Sequence, residues 1–419
     1  MRDEHEQSPS RLAAHDFVAA ARLYRLGQNV GNARSCFARA LAREPLAIEA
    51  AIGLLECGEQ VGTVLSLATL RGDAAAAAPF LPALIQAHAA RVKYDYFEAH
   101  QRLSELEAVF PASAHVLQHL GVTRVRDGFA HLALATFSRL REVEPFYVDA
   151  MDTYGSVIKL RGTSGALRTL TAELFAIDKQ RPEAWCVAAM HSELEGDKQR
   201  ALQLVEKALA LDDQHVFAYL LRGALFLSFG LAKRAQLSFA RALLLTKDHS
   251  AYQGCTQAFL LLEDLPRALT VAREASRVMP RSARALALVG LVLSCDQAQR
   301  RKARRVFEQA LAMRPRCIEA VLSLADLDAV EGQVDEAVKR LNEQLAHDIG
   351  NAEFIRVKLG DVLAKTNADD ALAHYRAAQE LNPQSEGAAQ GMARLLNRSS
   401  TATEEQRSGA LSPDTSAGF

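Results

Sequence analysis

Aromatic side chains are scarce in this chain. They make up 6% of its 419 residues, and tryptophan occurs once, at Trp185. A β-rich fold draws heavily on aromatic and β-branched residues, so a composition dominated by Ala and Leu points to closely packed helices. Net charge is also missing. The 49 Lys+Arg against 50 Asp+Glu leave a formal charge of −1, which argues against nucleic acid as a partner. No uninterrupted apolar run approaches the length of a membrane span, so a membrane is not expected either. The opening, MRDEHEQSPSRLAAHD, lacks the apolar core of a signal peptide. Cys36, Cys57, Cys186, Cys255, Cys295 and Cys317 show no CxxC and no paired spacing. Neither a disulfide framework nor a zinc ribbon is expected from them, and a reducing, intracellular setting is.

What the chain has is a period. The lines PEAWCVAAMHSELEGDKQRALQLVEKALALD and QHVFAYLLRGALFLSFGLAKRAQLSFARALLLTK align with a shift of 34 residues. Trp185 then falls over Tyr219, Ala189 over Gly223, Ala201 over Ala235, Val205 over Phe239 and Ala208 over Ala242. That is the pattern of the tetratricopeptide repeat (TPR), a helix–turn–helix unit whose helices A and B cross at small residues. Backbones approach closely only where side chains are small, and the bulky positions fill the space around the contact.

The same register runs through most of the chain. Phe17, Ala21, Tyr24, Ala33, Phe37, Ala40 and Pro45 take the fourth, eighth, eleventh, twentieth, twenty-fourth, twenty-seventh and thirty-second positions of a first unit. A second unit starts near Ile48, but its helix B, about VGTVLSLATL, lacks the Ala/Phe pattern, and the GDAAAAAP after it reads as an irregular connection. Later units carry Gly121 and Phe137, Tyr154 and Gly155, Gly290 and Phe307, and Gly360 and Tyr375. One-residue slips at the last junctions are expected in the A–B turns. The expectation is an all-α TPR superhelical solenoid of about eleven repeats over residues 11–396. SEGAAQGMARLLNR forms a capping helix at its end, and disordered arms cover 1–10 and 397–419.

Signatures of catalysis are missing: there is no GxGxxG, P-loop, HExxH, GxSxG or kinase set. Cys186 has no neighbouring His in sequence to activate it and reads as a packed thiol. His88 and His100 fall in different helices, so no metal site is expected, nor a cofactor or small-molecule substrate. Trp185 reads as core by its repeat position. RRKARR (Arg300–Arg305) reads as the solvated start of a helix B, with Ala303 facing helix A. The ninth positions of helix A include Arg22, Val122, Ser156, Met190, Ala224 and Leu291. They offer no Asn and no ordered basic pair, which disfavours a chaperone-type carboxylate clamp.

Several segments carry a narrower resemblance. REPLAIEAAIGLLECG, EPFYVDAMDTYGSVIKLRG, PEAWCVAAMHSELEG, RKARRVFEQALAMRPRCIEAVLSLADL and KLGDVLAKTNADDALAHYRAAQELNPQSEGAAQGM resemble the anaphase-promoting complex subunit 7 family in order and spacing. The resemblance implies a non-catalytic scaffold of a nuclear E3 ubiquitin ligase that drives mitotic progression. In that family stacked TPR homodimers support coactivator binding, while cullin and RING subunits elsewhere catalyse. The family carries further N-terminal helices that form the homodimer interface, and this chain starts shortly before the segment matching Ala14. Its partners would be other TPR subunits and a coactivator, with the protein in the nucleus and cytoplasm. Ser8-Pro9 and Ser412-Pro413 are candidate proline-directed phosphosites. The competing readings are a stand-alone TPR adaptor binding peptides in its groove, and an accessory array for an enzyme in trans.

Overall fold

The structure is a computed structural model and describes residues 13–27, 29–68 and 79–396. Ser8, Ser412, both terminal arms and nearly all of GDAAAAAP lie outside the described residues. After Tyr147 the chain divides into two compact units. Among the described residues the first holds four antiparallel helix pairs: Ala14–Leu26 with Val30–Arg43, Ile48–Glu56 with Val61–Leu67, Leu81–Val92 with Tyr96–Val109, and Ala114–Arg126 with Ala130–Val143. The second holds seven, beginning with Met151–Leu160 and Ser164–Ile177 and ending with Ala352–Leu363 and Ala368–Leu381. Residues 386–396 follow as a last helical segment. Among the described residues there is no strand. The all-α TPR architecture and its eleven pairs follow the sequence register. The irregular second helix B is a short helix, Val61–Leu67. Of the slips expected in the last A–B turns, one corresponds to a short 3-10 turn, Gln297–Gln299, between helices A and B. The later one, Ile349–Asn351, falls between two pairs instead.

Local chemistry explains where the helices start and stop. In the pair Pro182–Leu194 and Lys198–Leu211, Pro182 opens helix A, where a missing N–H costs nothing. The chain turns at Gly196, with φ of 84°. Asp197 then caps helix B by accepting a bond from the Arg200 amide at 2.9 Å. Gly128, Gly162, Gly196 and Gly230 recur at steps of 34 residues, all with positive φ. Tyr94 and Glu263 hold the same turn position with φ of 58°, a conformation that costs an L-residue about 1–2 kcal/mol.

The packing unit is an aromatic wedge. Phe239 on Ala232–Leu245 lies so close to Gly223 of its own pair and Gly254 of the next that a Cβ at either glycine would enter the ring. Tyr375 is wedged in the same way between Gly360 and Gly391, with its hydroxyl donating to Asp361 Oδ1 at 2.7 Å. Phe137 sits against Gly121 and Phe307 against Gly290. Each of these rings is buried, contributing roughly 1.5–3 kcal/mol. Gly155 faces Met190 and Val187 of the following pair instead of a ring, because its own helix B carries Thr171 at the wedge position.

Three aromatic residues depart from the expected core, and one of them, Tyr154, is only partly buried. Trp185 is half-buried. Its indole N–H donates to the Lys179 carbonyl at 2.9 Å, its ring meets Phe175 edge-on, and Lys207 Nζ stands 4.9 Å from its centroid. The hydrogen-bond donor on the ring holds it at the margin, where a carbonyl is available. Tyr24 is 40% exposed, because no helix precedes its pair among the described residues. Phe17 and Ala21 of the same helix are buried, with the Arg43 guanidinium 5.1 Å from the Phe17 centroid.

The second unit also bonds across a long interval. Asn382, where Ala368–Leu381 ends, donates to the Leu160 carbonyl at 3.2 Å and to Glu353 Oε2 at 3.1 Å. The turn at Gly162 passes so close that a Cβ there would lie 2.8 Å from Gln384 Cβ.

Two predictions follow from this packing. Gly223→Leu should destabilise the chain by about 1–3 kcal/mol through overpacking, and a melting temperature that does not move would contradict the register. Gly162→Ala and Gly196→Ala both incur the left-handed penalty, but Gly196 has nothing nearby. Gly162→Ala should therefore lower the urea midpoint more than Gly196→Ala, and equal losses would show that the Asn382 contact carries no weight.

Candidate functional site

Several buried polar groups lie near the starts of A helices, and others within or at the ends of helices. In the second unit, Asp152 is buried and accepts a 2.9 Å bond from His215 Nε2, 63 residues away. Burial alone would lower the His215 pKa, but the bond to Asp152 and its charge outweigh that and raise it. Arg181 pairs with Asp149 and, bidentately, with Glu183. Farther on, Arg284 Nε donates to Glu319 Oε1 at 2.5 Å, and that attraction keeps the arginine pKa high although the side chain is largely buried. Arg304 and Arg340 converge on the buried carboxylate of Asp328. In each case a buried charge has an opposite charge beside it, as a low-dielectric setting demands.

The first unit contains an exception. Arg91, in the last turn of Leu81–Val92, donates through Nη1 to His88 Nδ1 at 3.0 Å and His119 Nδ1 at 2.8 Å. His88 Nε2 lies 3.1 Å from His115 Nε2. Arg91 Nε is buried with no partner, and no carboxylate lies within ion-pair distance of the guanidinium among the described residues. Burial lowers the Arg91 pKa to about 10. Burial, then the Arg91 charge and His115, push His88 down to about 2. His119 and His115 are lowered by burial and then by Arg91. The three rings are therefore neutral. Because Arg91 donates to Nδ1 of His88, that ring carries its proton on Nε2 and donates to His115. His115 also borders a cavity of about 420 Å³ whose other walls include Arg22, Arg25, Phe37, Ile52 and Gly53. Arg22 pairs with Glu49 and Arg25 with Glu56 across its rim.

Comparison with known proteins fits this picture. The family described as "Tetratricopeptide repeat" matches residues 296–357. Anaphase-promoting complex subunit 7 of Arabidopsis thaliana is 31% identical over 388 residues, covering 90% of this chain and 69% of that one. The chain belongs to the anaphase-promoting complex subunit 7 family. The Homo sapiens subunit 7 is 26% identical over 92% of this chain and 69% of its own length. A solved structure titled APC/C hetero-tetramer Cut9-Hcn1 matches with a TM-score of 0.63 at 16% identity, over 94% of this chain and 79% of that one. At that identity it supports the fold alone.

Of the aromatic repeat residues named from sequence, Phe17, Phe137, Phe239, Phe307 and Tyr375 are buried, while Tyr24, Tyr154 and Trp185 are at the margin. Ala303 is buried while Arg300, Arg301 and Lys302 stay at the surface or partly so, so the run starts solvated, and Arg304 turns inward to pair with Asp328. Cys186 is fully buried, and burial raises its thiol pKa well above the ordinary value. His88 does not meet His100, the residue it was weighed against. It meets His115 and His119, which the sequence reading passed over. The signal was available: HxxxH puts two rings on one helix face, and His88 stands at the ninth position of the preceding helix A.

The Asp152–His215 pair gives a pH prediction. A raised folded pKa contributes stability that is fully present below the unfolded histidine value near 6.5 and is lost as pH rises through the folded value. His215→Leu should therefore lose more melting temperature relative to the parent at about pH 6 than at about pH 8. A deficit independent of pH would mean that packing, not charge, holds His215.

Proposed function

We propose that this chain is a non-catalytic TPR scaffold subunit of the anaphase-promoting complex/cyclosome, a multisubunit E3 ubiquitin ligase of the cell cycle, acting through protein–protein contacts in mitosis. The observation that carries the reading is the subunit 7 similarity running along 90% of the chain. Shorter similarities point the same way. Subunit 3 of Schizosaccharomyces pombe is 23% identical over 64% of this chain, and subunit 8 of Arabidopsis thaliana is 31% identical over 21%. Contacts with other TPR subunits and with a coactivator, homodimer formation, and residence in the nucleus and cytoplasm belong to this proposal.

The side chains support a scaffold over an enzyme. Burial drives the Cys255 and Cys317 thiols up to about 12, far from the thiolate that nucleophilic catalysis needs. The first helix pair keeps Leu23, Tyr24 and Val30 exposed, and we place a subunit contact there. Among the described residues no helix is long and apolar enough to cross a membrane.

The test is affinity purification of the tagged protein from mitotic cells, with co-purifying proteins and phosphopeptides identified by mass spectrometry. Recovery of a cullin, a RING protein and several TPR subunits is expected, with phosphate on Ser8 or Ser412. Recovery of chaperones, or of a single transferase, in their place would replace the scaffold with a stand-alone adaptor or an accessory array.

A further inference from the structure

We propose that His88, His115 and His119 form a site for one divalent transition-metal ion of the zinc class, in which the ion and the Arg91 guanidinium compete for the same imidazole lone pairs. One nitrogen from each ring lies within 4.8 Å of the others. Zinc–nitrogen bonds of about 2.0–2.1 Å place tetrahedral ligand atoms roughly 3.4 Å apart, and Nδ1 of His88 and Nδ1 of His119 already converge on one point, where Arg91 Nη1 lies 3.0 and 2.8 Å from them. Rotation of the rings about their side-chain torsions closes the rest of the gap. His115 and His119 are four residues apart on Ala114–Arg126, so one helix face fixes two ligands. The third comes from the preceding helix A, fixed by the pair-to-pair packing.

The ligand type selects the ion. Three imidazoles suit zinc, copper or nickel and fit calcium or magnesium poorly, since those prefer oxygen. Three protein ligands leave a fourth position open, and one of them, His115, borders a cavity.

Arg91 is the argument for and the obstacle to the ion. Its Nη1 sits where two lone pairs converge, at 2.8 and 3.0 Å, so the cluster already holds a cation. That cation is poorly held. Its Nε is without a partner, no carboxylate pairs with it among the described residues, and Arg126 adds like charge nearby. A guanidinium that turns towards solvent regains hydration, while a dication gains three direct bonds in its place. Exchange of one for the other leaves the imidazoles neutral throughout, as metal ligation requires.

The experiment uses the full chain purified without a polyhistidine tag, stripped with chelator, and titrated with zinc chloride by calorimetry. Bound metal is then counted by mass spectrometry after dialysis. One zinc per chain is expected for the parent, with a rise in melting temperature on binding. The His115→Ala/His119→Ala double variant should bind at least about tenfold more weakly. His119→Asn, which keeps a polar group for Arg91, should lose affinity as well, and this separates ligation from folding. Arg91→Met should bind more tightly than the parent. Circular dichroism checks that each variant is folded. No stoichiometric zinc in either the parent or Arg91→Met, or equal affinity in the double variant, would overturn the site.

Discussion

The fit of an aromatic ring between glycines on two successive helices is what the rest of the structure depends on. Phe239 shows the requirement most plainly. Its ring lies against Gly223 of its own pair and against Gly254 of the next, so a single side chain fixes both the A–B crossing and the step to the following unit. Neither helix could approach so closely with a Cβ in the way. A solenoid grows by repeating that one fit, since each pair buries its faces only against its neighbours. Ala201, Ala235, Ala268, Ala303, Ala337 and Ala371, all fully buried, mark the matching small position on helix B.

Because the fit is local and periodic, it was legible in the sequence. A shift of 34 residues superimposes the large and small positions directly, and nothing beyond nearest neighbours has to be known. The turn residues were equally periodic, yet they carry a different kind of constraint. Gly128, Gly162, Gly196 and Gly230 mark left-handed turns, a backbone requirement that a reading of hydrophobic positions does not register. The misplacement of Trp185 has a related cause. The repeat position predicts a large ring but not the free carbonyl of Lys179, and that acceptor decides where the indole lies.

The polar sites resisted sequence reading for a physical reason. Asp152 and His215 belong to pairs separated by a whole unit, and Asn382 bonds to Leu160 across 222 residues. Such pairings depend on how far the stack rotates per unit, and sequence periodicity does not encode that rotation. The MDTYG passage that drew attention as a family feature contains Asp152. That carboxylate is buried and accepts from His215 and from Thr153, a role the generic repeat residues do not have.

The buried arginines of the two units make a controlled contrast. Arg284 is enclosed, but Glu319 stands 2.5 Å away and its charge keeps the guanidinium pKa above the ordinary value. Arg91 occupies a comparable enclosure and falls to about 10, because neutral imidazoles are its partners and burial dominates. A carboxylate at His119 would have compensated Arg91 far better than a ring nitrogen does. The packing does not require an arginine there either, since a Met or Leu would fill the space without a buried charge. Arg91 therefore rests on two neutral ring nitrogens, His88 Nδ1 and His119 Nδ1, where Arg284 rests on a carboxylate.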